Sequence, residues 1–336
     1  MRSGLFHEDG LNEACPDGFV KVCEGSAAVL FPPSIVRPPA GKTANDGGDD
    51  SQAVFYNPAQ VVNRDLSICA IELFGRKRVA ERVKKGAGAP TGISVLEALS
   101  ATGLRAIRYY KEINNIKYII ANDMDKDAVD CIARNCAYNN IPTASPSLAV
   151  NFDESSIQLV KDTPDAEGKA GCSSHSIIQT GGAIIPNLDD ANDLMCRLAV
   201  NASDLHEKKR LAYVDAAQAV HPLLQEELMD VVDLDPYGTA SPFLEGAMRC
   251  IKEGGLLLVT STDSPVLCGN FPDTCHAKYN SISYKGNHCH EMAVRLLLAS
   301  MERVANKHKS TLCPFLAVIL TFTSAALSVS TPRRRR

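Results

Sequence analysis

The six residues Asp233-Leu234-Asp235-Pro236-Tyr237-Gly238 set two carboxylates and an aromatic ring directly after the apolar pair Val231-Val232. A proline after Asp235 disfavours helical backbone at that aspartate and holds it extended. Its carboxylate can then project beyond the end of a strand, and the Tyr237 ring beside it can stack on a base or face a cation. This pairing suits methylation of an exocyclic amine. Such an amine is a poor nucleophile because its lone pair is delocalised into the base. A carboxylate that accepts one of its hydrogens localises the pair and aims it at an electrophilic methyl group. Asp233 shares a strand face with Asp235 and takes a supporting role, coupled to it if both are buried.

Two more strand ends carry polar groups. GISVLEAL (92–99) presents Glu97 and runs into the turn ALSATGLR, and KYIIAND (117–123) closes on Asn122-Asp123. A dinucleotide-binding turn would read GxGxxG, so that a pyrophosphate can approach the helix N-terminus. Here Ala101, Thr102 and Gly103 supply one glycine among small neighbours, which suits a nucleoside ligand without a diphosphate. Asp123 stands where an acidic residue meets ribose hydroxyls in such units. Together these fit S-adenosylmethionine better than NAD. Turn and cap chemistry accounts for Thr102 or Asp123 taken alone, and less well for both beside the 233–238 motif.

Those residues need strands to hold them. LMDVVDLD (228–235) and GLLLVTST (255–262) read as two further strands, with a helix over 242–254 between them. SATGLRAIRYYKEI and residues 124–139 read as helices after the first two strands. This alternation predicts a doubly wound, mostly parallel α/β sheet with helices on both faces and a ligand crevice at the strand C-termini. Residues 19–31 predict two short strands around a Glu-Gly-Ser turn, and 57–85 a helix with a buried stripe of Val61, Asp65, Ile68 and Leu73. The basic run 76–85 at its end reads as a solvated face, with a phosphate-facing patch as the sharper alternative. Residues 32–53 read as a linker, and the polar, Gly-rich stretch 162–192 as an inserted surface loop.

The apolar run 312–329 reaches the lower limit of a membrane span. Its Pro314, Ser/Thr content and β-favouring centre predict a buried strand instead. Four arginines (333–336) follow it, in keeping with nuclear import or phosphate binding.

The composition narrows the partners. A chain of 336 residues with 45% hydrophobic and 22% charged residues is ordinary for a globular protein. A net charge of −4 argues against non-specific DNA coating. Without tryptophan, base stacking falls to Tyr, Phe or Arg. Twelve cysteines with no CxxC pair read as reduced thiols inside the cell. Cys268, Cys275, His276, His288, Cys289 and His290 crowd together but lack the paired ligand spacing of zinc sites. They read as buried thiols and loop histidines, with no metal expected. Residues 1–18 fit neither a secretory nor a transit peptide.

VFYNPAQVVNRDLSI (54–68), EALSATGLRAIRY (97–109), ANDMD (121–125), VVDLDPYGTASPF (231–243), GLLLVTSTD (255–263) and VLCGNFPDTCHAKY (266–279) follow one another in this order. That series resembles the tRNA guanine-26 N2-dimethyltransferase family, from about Val22 to about Lys309 apart from the insertion. The resemblance implies a Rossmann-like class I methyltransferase fold, S-adenosyl-L-methionine as cofactor and tRNA as substrate, with DNA and membranes not expected as partners. It implies that Arg64 and Arg105 hold the cofactor, Asp123 its ribose, and Asp204 lies near its adenine. Asp235 matches the catalytic aspartate, Tyr237 its aromatic partner, and Phe55 an aromatic of the target-base pocket. The organisation expected is an N-terminal strand pair and linker (1–53), a catalytic domain (54–309) and an atypical tail (310–336). Family members continue into a second domain that helps grip tRNA, whereas this tail is apolar. Two alternatives follow: a cofactor- or RNA-binding protein of low activity, or an amino-methyltransferase for another base. The compartment implied is intracellular, with the nucleus first and mitochondrion or cytoplasm next.

Overall fold

The computed structural model describes residues 15–31, 56–84, 92–143, 182–203, 228–320 and 323–332. Seven strands form one sheet in the order β5-β4-β3-β6-β7-β9-β8: β3 Ile93–Glu97, β4 Ile116–Asp123, β5 Ala183–Leu188, β6 Met229–Leu234, β7 Ile251–Ser261, β8 Ser310–Leu320 and β9 Thr323–Pro332. The first five in that order are mutually parallel, and β9 runs antiparallel to both β7 and β8. The chain winds outward from β3 through β4 to β5, then returns to lay β6 on the other side of β3. That reversal opens a crevice between the C-terminal ends of β3 and β6, where doubly wound sheets bind ligands.

The central strands are near-continuous apolar runs because both their faces are covered. Neighbouring residues go to opposite sides, as the two-residue strand period requires. Val95, Ile119, Ile184, Val231 and Leu256 join one core, while Leu96, Ile120, Ile185, Val232 and Leu257 join the other. The first core is closed by α1 (Val61–Lys84), α2 (Leu104–Glu112) and α3 (Lys126–Tyr138), with Ile71, Ile107 and Ile132 fully buried. The second is closed by α4 (Ala191–Ser203), α5 (Leu244–Cys250) and α8 (Cys289–Lys307), through Leu194, Ala247 and Leu297. Two short helices, α6 (Ser264–Leu267) and α7 (Pro272–Tyr279), lie between β7 and α8.

An antiparallel hairpin, β1 (Val20–Glu24) and β2 (Ala27–Phe31), packs on the α1–α3 side. Among the described residues β2 pairs only with β1, and side chains from the end of α3 and the residue after it serve its other edge. Asn139 accepts from Ala28 N (3.1 Å) and donates to Ala28 O (2.6 Å), and Asn135 Oδ1 accepts from Leu30 N (2.9 Å).

Several expectations need correcting. Leu73 is 62% exposed; the buried stripe of α1 is Arg64, Ser67, Ile68, Ile71 and Phe74. The polar Arg64 and Ser67 sit in it because ion pairing and hydrogen bonding satisfy them, which apolar periodicity does not register. The stretch 162–192 is not loop throughout: β5 occupies 183–188 and pairs along β4, and α4 starts at Ala191. The apolar run Ala183-Ile184-Ile185 suffices because pairing along β4 supplies the rest. The helix expected over 242–254 spans only Leu244–Cys250, and β7 begins at Ile251 with Gly254 in the left-handed region (φ +72). The run 312–329 makes two strands of a hairpin rather than one. Pro314 lies on β8, the sheet edge, where its missing N–H is tolerated. Among the described residues no helix is long and apolar enough to cross a membrane. In the basic run, Arg78 pairs with Asp230 (3.3 Å) at the start of β6, the opposite end of that strand from Asp235.

Candidate active site

Glu97 and Asp233 are register partners where β3 and β6 end, and Ala98 N donates to Asp233 O across the same point (3.1 Å). Both carboxylates are almost fully buried, at 2% and 1% exposure. Burial pushes the Glu97 carboxyl well above its ordinary range, and the charge of Asp233 adds to the rise. Asp233 is likewise pushed up by burial, with Arg105 pulling against it. Glu97 fixes the helix that follows: its Oε2 accepts from Ala106 N in the first turn of α2 (3.0 Å).

One guanidinium organises this end of the sheet. Arg105, 4% exposed on α2, donates from Nε to Asp235 Oδ2 (2.9 Å). Its Nη1 reaches Ser67 Oγ (3.1 Å), Tyr109 Oη (3.2 Å) and Asp233 Oδ2 (3.3 Å). Tyr109, also fully buried, donates its hydroxyl to the same Asp233 oxygen at 2.6 Å. Burial works against the charge of Arg105, but Asp235 and Asp233 together hold it protonated well above its ordinary range. Asp233 Oδ1 is buried and has no hydrogen-bond partner among the described residues.

The 235–238 loop is stapled to the end of β7. Gly238 N donates to Thr262 Oγ1 (2.8 Å) and Thr262 N to Gly238 O (2.7 Å), with Gly238 at φ +92. The loop's outer corner is Tyr237, 100% exposed, while Asp235 stays partly sheltered. Beside it, Tyr279 Oη meets Asp263 Oδ1 (2.8 Å), Ser261 Oγ (2.9 Å) and Thr239 Oγ1 (2.7 Å). Burial of the Tyr279 phenol pushes it far above its ordinary range, so it is neutral. None of these four was singled out in the sequence; the polar triplet Ser261-Thr262-Asp263 ending a strand was the available signal.

On the β3–β4 side, Asp123 organises the turn. Its Oδ2 accepts from Ala101 N (2.9 Å) and its Oδ1 from Asp125 N (3.0 Å). Ala101 (φ +48) and Gly103 (φ +75) both take left-handed backbone there. A Cβ on Gly103 would come within 3.1 Å of Ile132, so the tight turn and the α2–α3 packing both require glycine. Each Asp123 oxygen keeps a lone pair for a ligand hydroxyl.

Arg64 is engaged elsewhere. Its Nε and Nη2 each lie 2.6 Å from an oxygen of Glu24 on β1, and Arg108 Nη1 reaches Glu24 Oε1 at 2.8 Å. The two arginines hold the Glu24 carboxyl below its ordinary range although burial opposes them. The structure thus brings Asp235, Asp233, Arg105 and Tyr237 to one edge with the Asp123 turn, and joins Arg64 to the hairpin. Phe55 and Asp204 lie outside the described residues.

The arrangement fits an adenosyl sulfonium ligand. Asp123 offers acceptors for ribose hydroxyls, and the single arginine leaves the paired aspartates with excess negative charge that favours a cation.

Residues 41–165 and 184–325 match the family model described as TRM, N2,N2-dimethylguanosine tRNA methyltransferase. The match thus extends past Lys309, where the motif resemblance stops, through β8 into β9. The mitochondrial tRNA (guanine(26)-N(2))-dimethyltransferase of Saccharomyces cerevisiae is 34% identical over 91% of this chain and 46% of its own length. The Drosophila melanogaster tRNA (guanine(26)-N(2))-dimethyltransferase is 32% identical over 80% of this chain and 41% of its own. The chain therefore spans less than half the length of these curated relatives. The structure of Trm1 from Pyrococcus horikoshii with S-adenosyl-L-methionine superposes with a TM-score of 0.61 at 26% identity, covering 93% of this chain and 62% of that one.

Proposed function

The chain belongs to the N2,N2-dimethylguanosine tRNA methyltransferase family, and from that premise we propose that it methylates the N2 amine of guanine-26 in tRNA with S-adenosyl-L-methionine as cofactor. The observation that carries this reading is Asp235, held at the mouth of the β3/β6 crevice by Arg105 through Oδ2 alone among the described residues. Oδ1 is left to accept a hydrogen of the amine. Asp123 takes the ribose hydroxyls, and Tyr237 supplies a face on which the extruded base stacks. The cofactor, when bound, supplies a methyl group on a sulfonium. Asp235 would orient the amine toward that methyl and take up the proton released as the nitrogen–carbon bond forms and the carbon–sulfur bond breaks, the sulfonium leaving as a neutral thioether. Arg105, by fixing Asp235 through Oδ2, is a positioning residue, and the Tyr109 hydroxyl holds Asp233 behind it.

Phe55 and Asp204 keep the roles that the resemblance implies, base pocket and adenine contact. The protein acts inside the cell, in the nucleus on the strength of the 333–336 arginine run. The test is nucleoside analysis of unmodified tRNA incubated with the purified chain and the methyl donor. N2-methyl- and N2,N2-dimethylguanosine are expected, and neither from a tRNA carrying adenine at position 26. Methylation at adenine N6, or cofactor binding with no methyl incorporation, would overturn the reading.

A further inference from the structure

Away from the Asp235 edge, Cys268, Cys289 and His290 converge. Their ligand atoms, two Sγ and one imidazole nitrogen, all lie within 4.8 Å of one another, although 21 positions separate Cys268 from Cys289. Cys268 Sγ stands 3.6 Å from His290 Nδ1. A zinc ion with Zn–S of about 2.3 Å and Zn–N of about 2.1 Å separates tetrahedral S and N ligands by about 3.6 Å, and two sulfurs by about 3.8 Å. The observed edge already has that length. A thiol–imidazole hydrogen bond would account for one contact, but not for the arrival of a second thiol at the same point.

The surroundings hold the three groups in place. Cys268 follows α6, whose Leu267 is fully buried, and Ser283 Oγ donates to Val266 O at 2.7 Å. Gly269, at φ +98, sits so close to the Tyr284–Lys285 backbone that any Cβ would overlap it. Cys289 and His290 open α8, a 19-residue helix whose first turn favours the negative charge that thiolates bring. The two cysteines are half-buried and His290 is exposed, so water reaches a fourth position. The neighbouring Cys275, by contrast, is fully buried core.

We propose that Cys268, Cys289 and His290 form a zinc site with three protein ligands and one water, clipping the segment after β7 to the start of α8. That segment carries Asp263 and Tyr279, so the ion would brace one wall of the Asp235 edge. The proposal stands on the side-chain cluster alone and is independent of the methyl-transfer reading.

The probe is cobalt(II) added to the full chain after reduction and chelation. The expected result is about one ion per chain, with thiolate-to-cobalt charge transfer and the visible bands of a tetrahedral site. Zinc should displace it. C289S and H290A should each weaken cobalt binding more than about tenfold and lose the tetrahedral bands, because a three-ligand site cannot spare one. C69S, which removes an exposed thiol on α1, should bind as the parent does. Absence of tetrahedral bands in the reduced parent overturns the proposal whatever the variants do. So does unchanged binding in H290A, or isolation of Cys268 and Cys289 as a disulfide whose reduced form takes up no cobalt.

Discussion

Nε of Arg105 lies 2.9 Å from Oδ2 of Asp235 although 130 positions of chain separate the two residues. The arginine of the 97–105 turn and the aspartate of the 233–238 motif are therefore one unit. A change of side chain at either position bears on how the other is held.

Replacing Asp235 with asparagine preserves shape but removes the negative charge and the proton acceptor. Methyl incorporation into tRNA should fall at least about 100-fold, the lower end of what a positioned base contributes. Calorimetric affinity for the cofactor should stay close to the parent's. Turnover near the parent level in D235N would remove Asp235 from the chemistry.

Tyr237 separates function from stability. Because its side chain is fully solvent-exposed, Tyr237→Ala should shift the unfolding free energy by less than about 0.5 kcal/mol. Loss of base stacking should weaken tRNA engagement by about 1–3 kcal/mol, read as a higher KM, and Y237F should restore it. An unchanged KM in Y237A would show that the ring does not meet the base.

Arg105→Met tests the ion-pair cluster. It leaves Asp233 buried without a counter-charge, and breaking a buried pair on one side costs about 3–5 kcal/mol. Urea unfolding should show that loss, and adding Asp233→Asn to R105M should recover part of it. A loss below about 1 kcal/mol, or no recovery in the double variant, would mean that Arg105 does not hold the cluster together.

Glu97 gives the cluster a pH signature. Its carboxyl is pushed well above the ordinary 4.5, first by burial and then by Asp233. The folded state therefore keeps a proton that the unfolded state loses, and folding stability declines as pH rises above that value. Glu97→Gln cannot lose a proton. The variant and the parent should therefore converge at acid pH, with E97Q increasingly favoured as pH climbs from 4.5 toward neutrality. Denaturant midpoints across that range report the difference, and parallel curves would contradict it.

The legible parts of this protein are those whose cause is local. The apolar runs of β3, β4 and β6 declare themselves because both their faces are buried, and Pro236 and Gly238 mark the turn that presents Asp235. β5 is harder to read because only Ala183-Ile184-Ile185 signal it, between a Gly-rich stretch and Pro186; its stability comes from β4. Arg64 shows the same limit. Its family role points to the cofactor, while its guanidinium meets Glu24, a partner 40 positions earlier that no periodicity connects to it. Cys268 and Cys289 likewise come together only because α6 and α8 pack side by side.

The β1–β2 hairpin also bears on how the chain is made. Its anchors lie later in the chain than the hairpin itself: Arg64 is 40 positions beyond Glu24, Arg108 is 84 beyond it, and Asn135 and Asn139 are 105 and 111 beyond the β2 amides they serve. A two-stranded hairpin has little stability by itself. During synthesis these strands leave the ribosome before α2 and α3, and they cannot dock until those helices have emerged and folded. Pulse proteolysis of stalled nascent chains would date the event. Protection of residues 20–31 should arise only after Asn139 has cleared the exit tunnel, so that a hairpin translated before these helices is secured only after them.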